Sequence, residues 1–141
     1  MIRHQVSFML IGGYAVIHYG YVRTTGDLDI WLEPTEENKI RFVRLLLSLG
    51  YNLESVDAVK KQDFTRTLAF HIGSPPERID FLTQISGVTF EEAEKEKSYI
   101  DQNNLKIPVI SYKHLIVNKI LSTRLKDKAD VEELSKIRSE K

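Results

Sequence analysis

The chain has 141 residues, 42% hydrophobic and 28% charged, the proportions of an ordinary soluble globular protein long enough for a real core. Its 20 basic and 20 acidic residues cancel at a pI near 6.9, so net charge gives no case for a nucleic-acid or membrane partner, although local patches stay open. Cysteine is absent, which excludes disulfides and thiolate metal sites, and no apolar run nears the roughly 20 residues of a membrane span. Residues 1–11 lack a signal-peptide pattern, and a cytoplasmic location is expected.

Residues 7–11 form a short continuous apolar run ending at glycine, as a buried strand would. Gly12-Gly13 follows, and a Gly-Gly turn opening a helix lets backbone N–H groups approach a phosphate without Cβ obstruction. A plain tight turn is the competing reading. A brief apolar helix is predicted over 14–19, capped by Gly20, with His18 packed or at the surface. Arg23-Thr24-Thr25-Gly26 leads into a strand predicted over 27–32. Successive strand side chains alternate, so Asp27 and Asp29 would share one face and repel unless a positive partner sits between them. Hard oxygen donors make magnesium, bound together with substrate phosphates, the economical partner.

Thr35 offers an N-cap to an amphipathic helix running to about residue 49, with Glu36 and Glu37 in its first turn. A short helical turn is predicted over 55–59. Strands over 66–72 and 78–82, joined by Gly73-Ser74-Pro75-Pro76, read as a hairpin. Asp80 is thus a third carboxylate on a strand. If its strand neighbours that of Asp27, the three acids could hold two metals; alternatively Asp80 pairs with Arg78 or Arg66.

Thr89 and Glu92 form a capping box that starts a charged helix of about two turns. Asn103-Asn104 is a turn, and a strand follows over 107–110, with Pro108 arguing for an edge position. Ser111 caps a helix along which Leu115, Ile116, Lys119, Ile120 and Thr123 fall on neighbouring turns. Lys119, beside the apolar stripe, reaches toward something acidic or phosphorylated, or snorkels. Residues 125–128 read as a polar break before a last helix over 127–137, on which Asp130, Leu134 and Ile137 share a face. Lys119 or Arg124 could partner Asp130 there in a structural salt bridge.

Gly12-Gly13, residues 23–30 and residues 78–82 together resemble the nucleotidyltransferase superfamily that includes DNA polymerase beta. The shared pattern is a glycine turn, an acid-x-acid strand and a later third acid. Residues 111–119 and 126–134 also resemble small bacterial and archaeal nucleotidyltransferase-like proteins related to the Abi-type toxins of toxin–antitoxin systems. The resemblance implies an α+β fold, with a mixed, mainly antiparallel central sheet of about four to five strands flanked by helices. It implies one domain over 1–141, with a catalytic sheet core over about 1–110 and the helices of 111–141 packed on it.

The implied activity is transfer of a nucleoside monophosphate from a nucleoside triphosphate to an acceptor hydroxyl, with release of pyrophosphate. Asp27, Asp29 and Asp80 would be catalytic and would bind magnesium, in a two-metal site. Gly12, Gly13 and Lys119 would hold the triphosphate, with Arg23 and Thr25 supporting the loop, while Asp127 and Asp130 orient Lys119. The acceptor would be tRNA, protein or another molecule, and a cognate toxin or antitoxin is an implied partner. Relatives carry a helix before the first strand, whereas this chain begins almost at that strand. The departure implies a start further upstream or a neighbouring subunit, such as a homodimer mate, over the exposed face. Two other readings are a catalytically inactive nucleotide- or partner-binding module with the same fold, and a nucleotide-sugar glycosyltransferase using Asp-x-Asp.

Overall fold

The structure is a computed structural model that describes residues 1–122 and 124–139. After a 3-10 turn at Ile2–His4, the elements run β1 (Phe8–Ile11), α1 (Gly12–His18), β2 (Leu28–Leu32), α2 (Glu36–Ser48), α3 (Leu53–Lys60), β3 (Ala69–Ile72) and β4 (Ile79–Leu82). There follow α4 (Phe90–Glu96), β5 (Ser98–Gln102), β6 (Leu105–Val109), α5 (Tyr112–Ile120) and α6 (Leu125–Ser139). The caps form where side chains can supply them: Thr35, Thr89 and Ser111 each accept the backbone N–H three residues on. Asn52 does the same for α3, which lengthens the helical turn expected at 55–59.

Six strands make one sheet in the order β3-β4-β2-β1-β6-β5. The β1–β2, β3–β4 and β5–β6 pairs are antiparallel, and β1–β6 and β2–β4 are parallel. The sheet is therefore α+β and mixed as expected, but wider than the four to five strands read from the sequence. The addition is β5, whose half-exposed Ser-Tyr-Ile-Asp-Gln carries no continuous apolar signal. It forms because Asn103 and Asn104 both take positive φ, closing a two-residue hairpin onto β6.

That hairpin also moves β6 off the edge where Pro108 had placed it. The Ile110 N–H donates to Leu10 O at 3.0 Å, so the nitrogen two residues earlier, in Pro108, faces β1 as well. Its missing N–H fits a β1–β6 pairing confined to Leu10↔Val109. Similarly, residues 125–128 are not a break but the first turn of α6, held by Arg124 and Asp127 three residues apart at 2.9 Å. Thr123 lies outside the described residues.

Register assigns the two faces of the sheet. Ile30, Phe81 and Phe70 lie in one cross-strand row, and Phe42 of α2 packs edge-on against Phe81 with centroids 5.0 Å apart. On the other face Trp31 packs against Phe90 of α4 at 5.1 Å and donates its indole N–H to Thr83 O at 3.0 Å. Shifted one residue from the aromatic row, and so on the Trp31 face, runs Ile11–Asp29–Asp80–His71. No helix among the described residues is long and apolar enough to cross a membrane.

Candidate active site

The row Asp29–Asp80–His71 opens into a cavity of about 610 Å³, lined also by Gly12, Arg78, Lys119, Arg124 and Asp127. Parallel pairing of β2 with β4 sets Asp29 directly beside Asp80, which makes adjacent the two carboxylates that lie far apart in sequence. Asp27 does not share this ladder. It occupies a bend one residue before β2, half-buried, and does not line the cavity.

The glycines make the approach possible. Gly12 has φ +68°, a left-handed conformation that glycine adopts freely, and it is the first residue of α1. A Cβ there would overlap Oδ2 of Asp29, and a Cβ on Gly13 would overlap Oγ1 of Thr25. The carboxylate of Asp29 and the Thr25 side chain therefore lie directly against the backbone of the turn. Arg23 extends the same loop to α6, donating from Nε to Asp130 Oδ1 at 2.8 Å and from Nη2 to Oδ2 at 3.0 Å. Arg23 thus ties the loop after α1 to α6.

Lys119 is 3% exposed and sits between two carboxylates, with Nζ 2.7 Å from Asp127 Oδ1 and 3.0 Å from Asp130 Oδ2. Asp127 accepts in addition from Arg124 Nε at 2.9 Å and from the Ser122 hydroxyl. Asp127 and Asp130 are thus salt-bridged to Lys119 from both sides. Lys119 also lines the cavity.

Electrostatics divides the cavity into two walls. Asp29 is pushed above the ordinary carboxylate range, first by burial and then by the facing charge of Asp80, with Asp27 adding to it and Lys126 and Arg124 opposing. Burial also acts upward on Asp127, but hydrogen bonds from Arg124, Lys119 and Ser122 outweigh it and hold that carboxyl well below its usual range. Because the folded value of Asp127 lies below the unfolded one, its contribution to stability is complete above about pH 4 and is lost as pH falls further. Thermal melts between neutral pH and pH 2 are expected to show this loss, less steeply for Asp127→Asn.

Among the described residues no group of three or more His, Asp or Glu stands close enough to hold a metal ion. Asp80 Oδ1 accepts from Arg78 Nε at 3.0 Å and lies 3.0 Å from Nη2, the arginine pairing that the sequence left open. The donor chemistry nonetheless suits a hard divalent cation. Asp29 and Asp80 are neighbouring oxygen donors in one cavity, and their mutual repulsion is what such a cation relieves.

Several lining residues had no signal of their own in the sequence. His71 follows from the hairpin register, since the 73–76 turn places it opposite Asp80. Arg124, named from the sequence only as a possible partner for Asp130, instead holds Asp127 at i,i+3 spacing. Arg78 was named only as a partner for Asp80, and here it lines the cavity as well.

The solved structure of lincosamide antibiotic adenylyltransferase LnuA, lincomycin-bound, aligns over 95% of this chain and 89% of its own at 18% identity, with a TM-score of 0.54. A Thermotoga maritima protein described as a nucleotidyltransferase aligns over 97% of this chain and 84% of its own at 14% identity, with a TM-score of 0.48. No family model matches the chain, and no curated protein matches it by sequence. On the first of these alignments, which spans nearly all of both chains, this chain has the nucleotidyltransferase fold.

Proposed function

We propose that the protein is a metal-dependent nucleotidyltransferase that moves a nucleoside monophosphate from a nucleoside triphosphate to an acceptor hydroxyl. The observation that carries this reading is the pairing of Asp29 with Asp80, side by side in register, in the same cavity as the turn at Gly12. Asp29 and Asp80 would hold magnesium, with Asp27, in the bend before β2, adding negative charge beside Asp29. The chemistry such a cation supplies is neutralisation of phosphate charge and Lewis acidity at the reacting phosphorus.

The chain's own residues do the rest by position. Backbone N–H groups of Gly12 and Gly13 receive the triphosphate, with Thr25 and Arg23 fixing the loop around them. Lys119, held by Asp127 and Asp130, sets a positive charge beside the phosphates. The acceptor oxygen bonds to the α-phosphorus, its proton leaves toward Asp80, and pyrophosphate departs with the electrons of the broken α–β phosphoanhydride bond. Catalysis of this kind is positioning and electrostatics, with little covalent work for the protein. The acceptor belongs to RNA, to a protein or to a small molecule, and a toxin–antitoxin role is one setting for the first two. LnuA, a lincosamide adenylyltransferase by name, makes the small-molecule class worth including.

Titration calorimetry with ATP, GTP, CTP and UTP in magnesium separates this reading from a non-catalytic module. Wild type is expected to bind at least one triphosphate, and Asp27→Asn/Asp29→Asn to bind it much more weakly. Equal affinity in the two proteins, or no binding by either, contradicts metal-dependent nucleotide binding.

A further inference from the structure

We infer that the acceptor is a hydroxyl-bearing residue of an extended peptide, and that the peptide docks as an additional strand on the free edge of β3. The inference deepens the nucleotidyl-transfer reading by naming an acceptor class, and it rests on the same catalytic row. β3 ends the sheet beyond β4. The Thr83 N–H donates to Leu68 O at 3.1 Å, which makes Leu68 and Thr83 a hydrogen-bonded pair in the antiparallel ladder. Alternation then turns the N–H and C=O of Phe70 and Ile72 toward β4, and those of Ala69 and His71 outward. None of the described residues bonds to these outward groups. Edge strands commonly turn strand partners away with charged residues or proline. β3 carries no carboxylate, lysine, arginine or proline, whereas β5 at the opposite edge carries Asp101.

The space along this edge is built on both faces of the sheet. On the aromatic side a cavity of about 460 Å³ runs beside β3, walled by Leu46 of α2, by Tyr51, and by Ala58 and Val59 of α3. No Asp, Glu, Lys or Arg lines it, so it suits an apolar side chain. On the other face His71 continues the row Ile11–Asp29–Asp80 and lines the catalytic cavity. Ala69, Phe70 and His71 line both cavities, so the edge of β3 is the boundary between them.

An added strand sends alternate side chains to these two faces. The residue paired with His71 falls on the Asp80 face, one interstrand spacing of about 4.8 Å from His71, and its neighbours on either side face the apolar cavity. Backbone pairing supplies affinity, the cavity selects an apolar side chain next to the acceptor, and the catalytic row receives the hydroxyl. The serine, threonine or tyrosine oxygen bonds to the α-phosphorus, its proton leaves toward Asp80, and pyrophosphate departs with the electrons of the α–β bond. A peptide fits this edge better than RNA does, because RNA has no row of N–H and C=O groups to match and the groove offers no cation to its phosphates.

The test is transfer of α-label from ATP, GTP, CTP or UTP, in magnesium, to degenerate heptapeptides with tyrosine, serine or threonine at the centre and mixed apolar residues around it. Wild type is compared with Ala69→Pro and Ala58→Trp. Proline removes the outward N–H of residue 69, which the ladder with β4 does not use. Tryptophan at the exposed Ala58 fills the groove at a position that does not line the catalytic cavity, so triphosphate affinity is expected to stay at the wild-type value. Each variant is expected to lower kcat/KM for the peptide about tenfold, the size of one or two lost backbone contacts. Ala58→Trp carries the result even if Ala69→Pro fails to fold. Wild-type peptide transfer by Ala58→Trp overturns the inference. Label that reaches only tRNA or small molecules, at the wild-type rate in both variants, overturns it and keeps the transferase reading. A dimer in solution that Ala69→Pro dissociates assigns the edge to a second copy and also overturns it. Peptide binding that Ala58→Trp abolishes, in a protein that takes no triphosphate, keeps the docking edge and rejects the transferase reading.

Discussion

Asp29→Asn is expected to lower nucleotide transfer by about a thousandfold or more while leaving the fold at least as stable as wild type. The first part follows because a cation site contributes several kcal/mol to a phosphoryl transition state, at about 1.4 kcal/mol per tenfold. The second follows from the sign of the Asp29 shift. Its folded value is raised by burial and by Asp80, so the ionised carboxylate is disfavoured in the folded state at neutral pH, and a neutral amide of the same shape removes that penalty. A melting temperature equal to or above that of wild type, with activity lost, is the expected pair of results. Magnesium should also raise the melting temperature of wild type and not of the variant. A variant that melts well below wild type would place Asp29 in the scaffold rather than in the chemistry.

Lys119→Met has the largest expected effect on stability, a loss of about 3 kcal/mol read as a lower urea midpoint at unchanged slope. Methionine keeps the apolar stem but leaves Asp127 and Asp130, 4% and 1% exposed, without the cation between them. Arg124 and Arg23 still contact these carboxylates, which is why the expected loss stays at the lower end for a broken buried pair. The consequence reaches the glycine turn, because Asp130 also holds Arg23, whose loop carries Thr25 against Gly13. A loss under about 1 kcal/mol would mean that the two arginines suffice and that Lys119 is not the centre of the network.

Most of what locates the site is written in local pattern. The apolar run before Gly12, the hairpin turn before Arg78 and the capping residues Thr35, Thr89 and Ser111 each act within a few residues, and each element formed close to where these signals put it. What local pattern could not supply was the order of strands. Parallel pairing of β2 with β4 joins residues about fifty positions apart, and nothing near Asp29 or Asp80 announces the partner. From the sequence their adjacency stood only as a condition for the acids to share a site, and the sheet order meets it.

The departures have physical causes of the same kind. Pro108 suggests an edge strand only if its missing N–H is taken to face solvent, whereas here it faces a short stretch of β1. Asp27 and Asp29 share a strand face by alternation, but the strand starts at Leu28 and leaves Asp27 in the bend before it. Lys119 was read as reaching toward something acidic or phosphorylated, and burial beside two aspartates favours the acid as its direct partner. The exposed Arg124 has little periodicity to mark it, because solvent-facing positions at a helix start obey few packing constraints.

The central claim is transfer of a nucleoside monophosphate, and the fate of isotope tests it most directly. The protein is incubated in magnesium with nucleoside triphosphates labelled at either the α- or the γ-phosphate, together with tRNA, protein and small-molecule fractions of a cell extract. The account predicts α-label on one acceptor class, γ-label only in released pyrophosphate, and neither with Asp29→Asn. Transfer of the γ-label to an acceptor, or retention of all label in unreacted triphosphate across every fraction, would contradict it.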